Sequence, residues 1–226
     1  MTAALEPASP RAASVATALP STHLLLIRHG ASAVLPPDEL PRRGIQADPP
    51  LSPVGEAEAR HVAGRLKGED IMTIYTSPLR RSVQTAAPLA AALGVTPVVE
   101  EDLREVFLGD VDGLDLRLLV AEGNQDVRAA LREQRWERIP GAETQQEFAA
   151  RTKSVIERLA ERHAGSAVAV FTHGGFIGQV LAEASGAAAL HAFINADNAS
   201  ITQLAVTRRR WTVRRFNDVG HLRATP

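Results

Sequence analysis

Two short stretches of the chain repeat one pattern. Residues 24–27 are an unbroken apolar run, and Arg28, His29 and Gly30 follow at once. Residues 167–171 form a second apolar run, closed by Thr172, His173, Gly174 and Gly175. Runs of this length predict buried strands, each handing over to a loop at an imidazole. Further strands are predicted at 71–76 and 95–99, and a closing hairpin at 201–206 and 211–216 with a basic tip at 207–210. Between them lie helical patterns. Ser52 and Pro53 cap and open a helix that runs through Ala57, His61, Val62 and Leu66 to Gly68, with His61 read as structural. Ser77 and Pro78 signal another helix at a strand end. Shorter helices are predicted at 115–122 and 126–136. A longer one starts near 141–144 and ends at Gly165, with Phe148, Val155, Ile156 and Leu159 on one stripe. A last helix, 176–184, is stopped by Gly186. This order predicts an α/β fold: a three-layer sandwich whose mostly parallel central sheet carries helices on both faces.

Residues 23–226 read as a single domain. Residues 1–22 are rich in Ala, Pro and Ser and lack the basic start and apolar core of a signal peptide, so a disordered leader is expected there. The chain has 226 residues, 45% of them hydrophobic, which is enough for one well-buried α/β domain. Lys and Arg number 25 against 26 Asp and Glu, a net charge of -1. No global field attracts nucleic acid or an anionic membrane, so affinity for anions must come from a local cluster. The absence of cysteine excludes disulfides, thiolate zinc sites and a Cys nucleophile, and agrees with a cytoplasmic location. No apolar run approaches the ~20 residues that cross a bilayer. Neither nucleic acid nor membrane is expected as a partner, and a homodimer is left open.

The candidate chemistry sits where strands end, the place where open α/β sheets collect ligands. His29 is a candidate nucleophile and Arg28 a candidate anion grip. Gly30 is expected to let the backbone turn sharply and come close to whatever binds. Arg80 and Arg81 fall in the first turns of a helix whose amino end already favours anions. Cations there oppose the helix dipole, so their placement calls for an outside reason. Residues 31–50 carry Pro36, Pro37, Pro41, Pro49 and Pro50, which forbid a long helix. This segment is expected to lie as a loop over the first strand's end, from which Arg42, Arg43 and Gln46 could reach a substrate.

In chain order, Arg28-His29-Gly30, Leu51-Ser52-Pro53-Val54-Gly55-Glu56, the run 77–86, Leu103-Arg104-Glu105 with Gly109 and Gly113, and Thr172-His173-Gly174-Gly175 resemble the motifs of the histidine phosphatase superfamily, also called the phosphoglycerate mutase-like fold. The resemblance spans roughly residues 23–206. It implies a metal-independent phosphomonoesterase without cofactor, acting on a small-molecule phosphate ester through a phosphohistidine. His29 would be the nucleophile, and Arg28 and Arg81 (not Arg80) would bind the phosphoryl oxygens. His173 would be the second histidine of the phosphate pocket, donating a hydrogen bond to the transferring group. Glu105 would be the general acid, for which a partly buried setting is expected. Arginine forks match phosphate oxygens and supply the charge a metal supplies elsewhere.

The chain departs from the pattern at Ala31-Ser32, where the family commonly has Glu-Thr, and at Val111-Asp112, where an aromatic-acid pair is usual. Gly141, Glu143 and Thr144 stand in for a Gly-Glu-Ser segment. These departures leave the proposed catalytic residues intact and put the substrate's other contacts in doubt. A phosphoglycerate mutase-type phosphotransferase is the nearest rival. Such mutases usually carry a longer insertion after the acid, whereas about 35 residues separate Glu105 from Gly141 here. A silent protein that binds a phosphorylated ligand is a rival of another class. A metal site built from His29, His173 and Glu105 is disfavoured by the surrounding arginines.

Overall fold

The computed structural model describes residues 20–42, 44–187 and 196–223. The expected leader lies outside them apart from residues 20–22. Thr22, placed in that leader by the sequence reading, is the first residue of strand β1 (Thr22–Arg28). Its hydroxyl donates to the carbonyls of Ala160 and His163, which fastens the strand's start to a helix end.

The chain then forms α1 (Pro53–Leu66), β2 (Ile71–Thr76), α2 (Arg80–Leu93) and β3 (Val98–Val99). Next come α3 (Leu116–Ala121), α4 (Gln125–Glu133) and α5 (Gln145–Arg162). Strand β4 (Ala167–Thr172), helix α6 (Gly174–Ser185) and the hairpin β5 (Ile201–Val206) and β6 (Trp211–Asp218) complete the described fold. The six strands lie in the order β3-β2-β4-β1-β5-β6. Neighbours from β3 to β1 pair parallel, while β5 runs antiparallel to both β1 and β6.

Alternation along the central strands divides the core in two, as the period of a strand requires. Leu24, Leu26, Val168 and Val170 face α5 and α6 in one layer. Leu25, Ile27, Ala169 and Phe171 face α1 and α2 in the other. The predicted stripe of α5 is buried throughout: Phe148, Val155, Ile156 and Leu159 have no exposed surface. Each such side chain stabilises the fold by about 1.5–3 kcal/mol through apolar burial. Thr144 caps α5 in a reciprocal pair with Glu147, the capping box.

Several elements differ from the expected ones, and helix α6 starts two residues early, at Gly174. The third strand is only Val98–Val99 on the sheet edge, because Pro97 has no N–H to give a ladder. Helix α2 starts at Arg80 with no side-chain cap, and Ser77 is engaged elsewhere. His61 is exposed, and the buried stripe of α1 is Gly55, Ala59, Val62, Ala63 and Leu66.

The order of the strands makes the site. From β1 the chain goes over to β2 and outward to β3, then returns to insert β4 between β2 and β1. Strand β1 leads on to α1 on one face of the sheet, and β4 leads to α6 on the other. Their adjacent carboxyl ends are therefore a topological switch point, the position at which open α/β sheets bind ligands. Arg28 is in register with Thr172, so His29 and His173 emerge side by side.

Candidate active site

His29 is fixed through its backbone. Its N–H donates to the Thr172 carbonyl, and its own carbonyl accepts from the Ala199 N–H and the Asn198 side-chain amide. The ring Nδ1 lies 2.7 Å from the Gly30 carbonyl. A carbonyl only accepts, so Nδ1 carries the proton and Nε2 keeps a lone pair. Burial, and then the charges of Arg81 and Arg28, push the imidazole's pKa down to about 3. The ring is a neutral base at every ordinary working pH.

Gly30 serves a different end from the one expected. Its φ is not in the left-handed region, and a Cβ there would stand 2.6 Å from the Gly55 carbonyl. A Cβ on Gly55 would in turn meet the Ala31 carbonyl at 2.1 Å. The two glycines let the start of α1 press against the loop that follows the histidine. Glu58 accepts from the Ala31 N–H, and the Thr85 hydroxyl accepts from that of Gly30.

His173 has no exposed surface and caps α6, its ring centroid 5.1 Å from that of His29. Its Nε2 lies 2.7 Å from the Ser77 hydroxyl and 3.4 Å from that of Ser82. Ser77 can donate to that nitrogen, which puts the ring proton on Nδ1, a buried atom with no partner among the described residues. That leaves one N–H for a ligand oxygen. Burial, reinforced by Arg81, His29 and Arg28, holds this imidazole well below its usual range as well.

Both guanidiniums close on the same place. Arg28 donates through Nη1 to the Ala196 carbonyl, while its buried Nε has no partner among the described residues. Gly174 lies beneath it, where a Cβ would be 3.3 Å from that Nε. Arg81 is 8% exposed and donates from Nη1 to the Ala47 carbonyl at 3.1 Å. The Ala47 N–H donates to Asp112, whose other oxygen accepts from the Leu108 N–H. Burial lowers the pKa of both arginines, opposed chiefly by the carboxylate of Glu105. That carboxylate is half-buried and accepts from the N–H groups of Gly175 at 2.9 Å, Phe176 at 3.1 Å and Val106 at 3.0 Å. A Cβ on Gly175 would stand 2.5 Å from its Oε1. Each glycine after His173 thus makes room for one charged group.

A model of the histidine phosphatase superfamily (branch 1) matches residues 24–219. The chain belongs to that superfamily. It is 28% identical over 204 residues to a metal-independent phosphoserine phosphatase of Arabidopsis thaliana, covering 89% of this chain and 83% of the relative. It is 30% identical over 207 residues to phosphoglycerate mutase-like protein 4 of the same plant, covering 89% and 87%. Among solved structures, a mycobacterial glucosyl-3-phosphoglycerate phosphatase superposes with a TM-score of 0.71 at 28% identity, covering 86% of this chain and 98% of the other. The chain is accordingly an enzyme of histidine phosphatase type.

In this histidine phosphatase the five residues nominated from sequence, Arg28, His29, Arg81, Glu105 and His173, are brought close together. The three loop residues do not share one fate. Gln46 donates from Nε2 to the Glu105 carbonyl at 3.1 Å. Arg42 is exposed, and its carbonyl closes the turn before Gln46. Arg43 lies outside the described residues. Among its described residues the segment holds one short 3-10 turn, Pro37–Glu39, and no long helix, as its prolines require. Sequence reasoning missed Ser77, Ser82 and Thr85, although all lie in the quoted run 77–86, because their hydroxyls serve His173 and Gly30. Asn198 and Arg151 carried no signal of their own. Among the described residues no group of three or more His, Asp or Glu could hold a metal ion, and no helix is long and apolar enough to cross a membrane.

Proposed function

We propose that this protein hydrolyses a small-molecule phosphate monoester through a phosphohistidine on His29, without a metal or other cofactor. The forks of Arg28 and Arg81 take the equatorial phosphoryl oxygens, and His173 donates a further hydrogen bond. As the bond from His29 Nε2 to phosphorus forms, the bond from phosphorus to the ester oxygen breaks. Glu105, protonated beforehand, gives its proton to that oxygen. Water then attacks phosphorus, Glu105 takes a proton from it, the P–N bond breaks, and orthophosphate departs. His29 returns to its neutral form.

The observation that carries this reading is the state of His29. One ring nitrogen is committed to a carbonyl and the other keeps its lone pair, beside buried Arg81 and half-buried Arg28, whose charges disfavour its protonation. The guanidiniums supply in-place charge for the transferring group and repel a metal cation. The test is release of p-nitrophenol from p-nitrophenyl phosphate in excess EDTA. Wild type should turn over, and His29→Ala should lose at least about 10³-fold, a nucleophile's contribution. Activity that EDTA abolishes would overturn the mechanism.

The mutase-like relative favours a second reading, transfer of the phosphoryl group to another hydroxyl. The short interval between Glu105 and Gly141 supports hydrolysis, since mutases of this kind usually carry a longer insertion there. Phosphorus NMR with 3-phosphoglycerate separates the two, because a mutase makes 2-phosphoglycerate and a phosphatase makes orthophosphate. A panel of small phosphate esters, phosphoserine and glucosyl-3-phosphoglycerate among them, ranked by kcat/KM, would then identify the substrate.

A further inference from the structure

The segment that carries Glu105 has an unusual support. Successive carbonyls from Asp102 to Glu105 are taken by side chains from other elements. The Leu103 carbonyl accepts from the Thr172 hydroxyl at 2.8 Å. Those of Asp102, Arg104 and Glu105 all accept from Arg151, at 2.9, 2.8 and 3.0 Å. Arg151 also grips both oxygens of Glu143, at 2.6 and 2.9 Å, and lies 4.7 Å above the ring of buried Phe148. Glu143 reaches the same segment from its far side. Its carboxylate accepts from the Phe107 N–H and its own N–H donates to the Phe107 carbonyl. One guanidinium on α5 thus fixes the backbone on either side of Glu105, with Glu143 holding it in place.

We propose that Arg151 is a positioning residue for Glu105, acting through the backbone and touching no substrate. The proposal rests on Glu105 being the general acid. Five hydrogen bonds from one planar fork leave that group a single orientation, which lysine cannot reproduce. The carboxylate at the other end of the residue is held by the amino end of α6. Backbone and side chain are therefore anchored to different helices, and the carboxylate's reach toward an ester oxygen depends on both. A displacement of about 1 Å in a catalytic group can cost about 100-fold in rate.

The test exploits the leaving group. An alkoxide cannot leave without a proton, whereas p-nitrophenolate can. Wild type, Arg151→Lys, Arg151→Met, Glu143→Gln and Glu105→Gln are compared on β-glycerophosphate and p-nitrophenyl phosphate, with orthovanadate inhibition as a measure of the phosphate pocket. The Arg151 variants should lose about 30- to 100-fold in kcat on the alkyl ester and at most about threefold on the aryl ester, with vanadate inhibition unchanged. Glu105→Gln should split the two esters further in the same direction. Equal losses on both esters, or none on either, in the Arg151 variants would overturn the proposal while leaving the phosphatase reading intact. An unsplit Glu105→Gln would remove the acid and the proposal together. Should Arg151→Met fail to fold, Arg151→Lys and Glu143→Gln decide the matter by the same criterion.

Discussion

His29 is a base kept neutral by burial and by the charges of Arg81 and Arg28, the proposed grip on the phosphoryl group. A free imidazole titrates near 6.5, and this one is held at about 3. Nucleophilicity is thereby uncoupled from pH between 8 and 5. The ring signals of His29, assigned in NMR spectra by comparison with His29→Gln, should show no inflection between pH 8 and 5. An inflection near 6.5 would mean that the ring is solvated and that Nε2 is protonated in part at neutrality. The lone pair also depends on Nδ1 staying with the Gly30 carbonyl. That bond uses the residue's own next peptide, so no distant substitution should release it.

Helix α6 holds the site through its backbone and small residues, without a charged side chain directed at it. Its first turn gives Glu105 two N–H donors, and its first two residues lack side chains where Arg28 and Glu105 pack. Gly175→Ala should displace the carboxylate and lower kcat on an alkyl phosphate by about 10- to 100-fold. Gly178→Ala, a turn further along the same helix, meets nothing within 4 Å and should be neutral in kcat. Equal kcat for the two variants would show that close packing at Gly175 is irrelevant to the acid. The elements themselves were legible where apolar runs or a 3.6-residue stripe marked them, as in β1, β4 and α5. The start of α2 was not, because Ser77 resembles a helix cap and is held instead by an imidazole 96 residues away. The strand-end residues of the site stood out as candidates by position alone, and their roles were legible only through the resemblance of five separate motifs to those of the histidine phosphatases. Arg151 was illegible because it acts on carbonyls, which every residue possesses.

For the whole molecule, burying neutral histidines couples stability to pH. His29 and His173 are both held below their ordinary values by burial, and His163 and His221 are lowered for the same first reason. In the unfolded chain these rings take up protons as pH falls through 6.5, while the folded state refuses them. The unfolded state then binds more protons, and unfolding free energy falls with falling pH. The contribution is complete above 6.5 and for His29 is lost progressively down to about 3. Asp112 works in the opposite sense. Burial raises its pKa, so its contribution favours the folded state at low pH and fades as pH rises through the elevated value. The histidines should dominate between pH 6.5 and 5, where more groups act in one direction. The fully enclosed rings of His29 and His173 each contribute a loss of up to about 1.4 kcal/mol per pH unit there. Urea unfolding at pH 7, 6 and 5 should therefore show wild type becoming less stable on acidification. His29→Gln, which cannot take a proton in either state, should lose about 2 kcal/mol less between pH 7 and 5. Parallel curves for the two proteins would mean that the folded enzyme admits a proton to His29, and the electrostatic account of the nucleophile would fail with it.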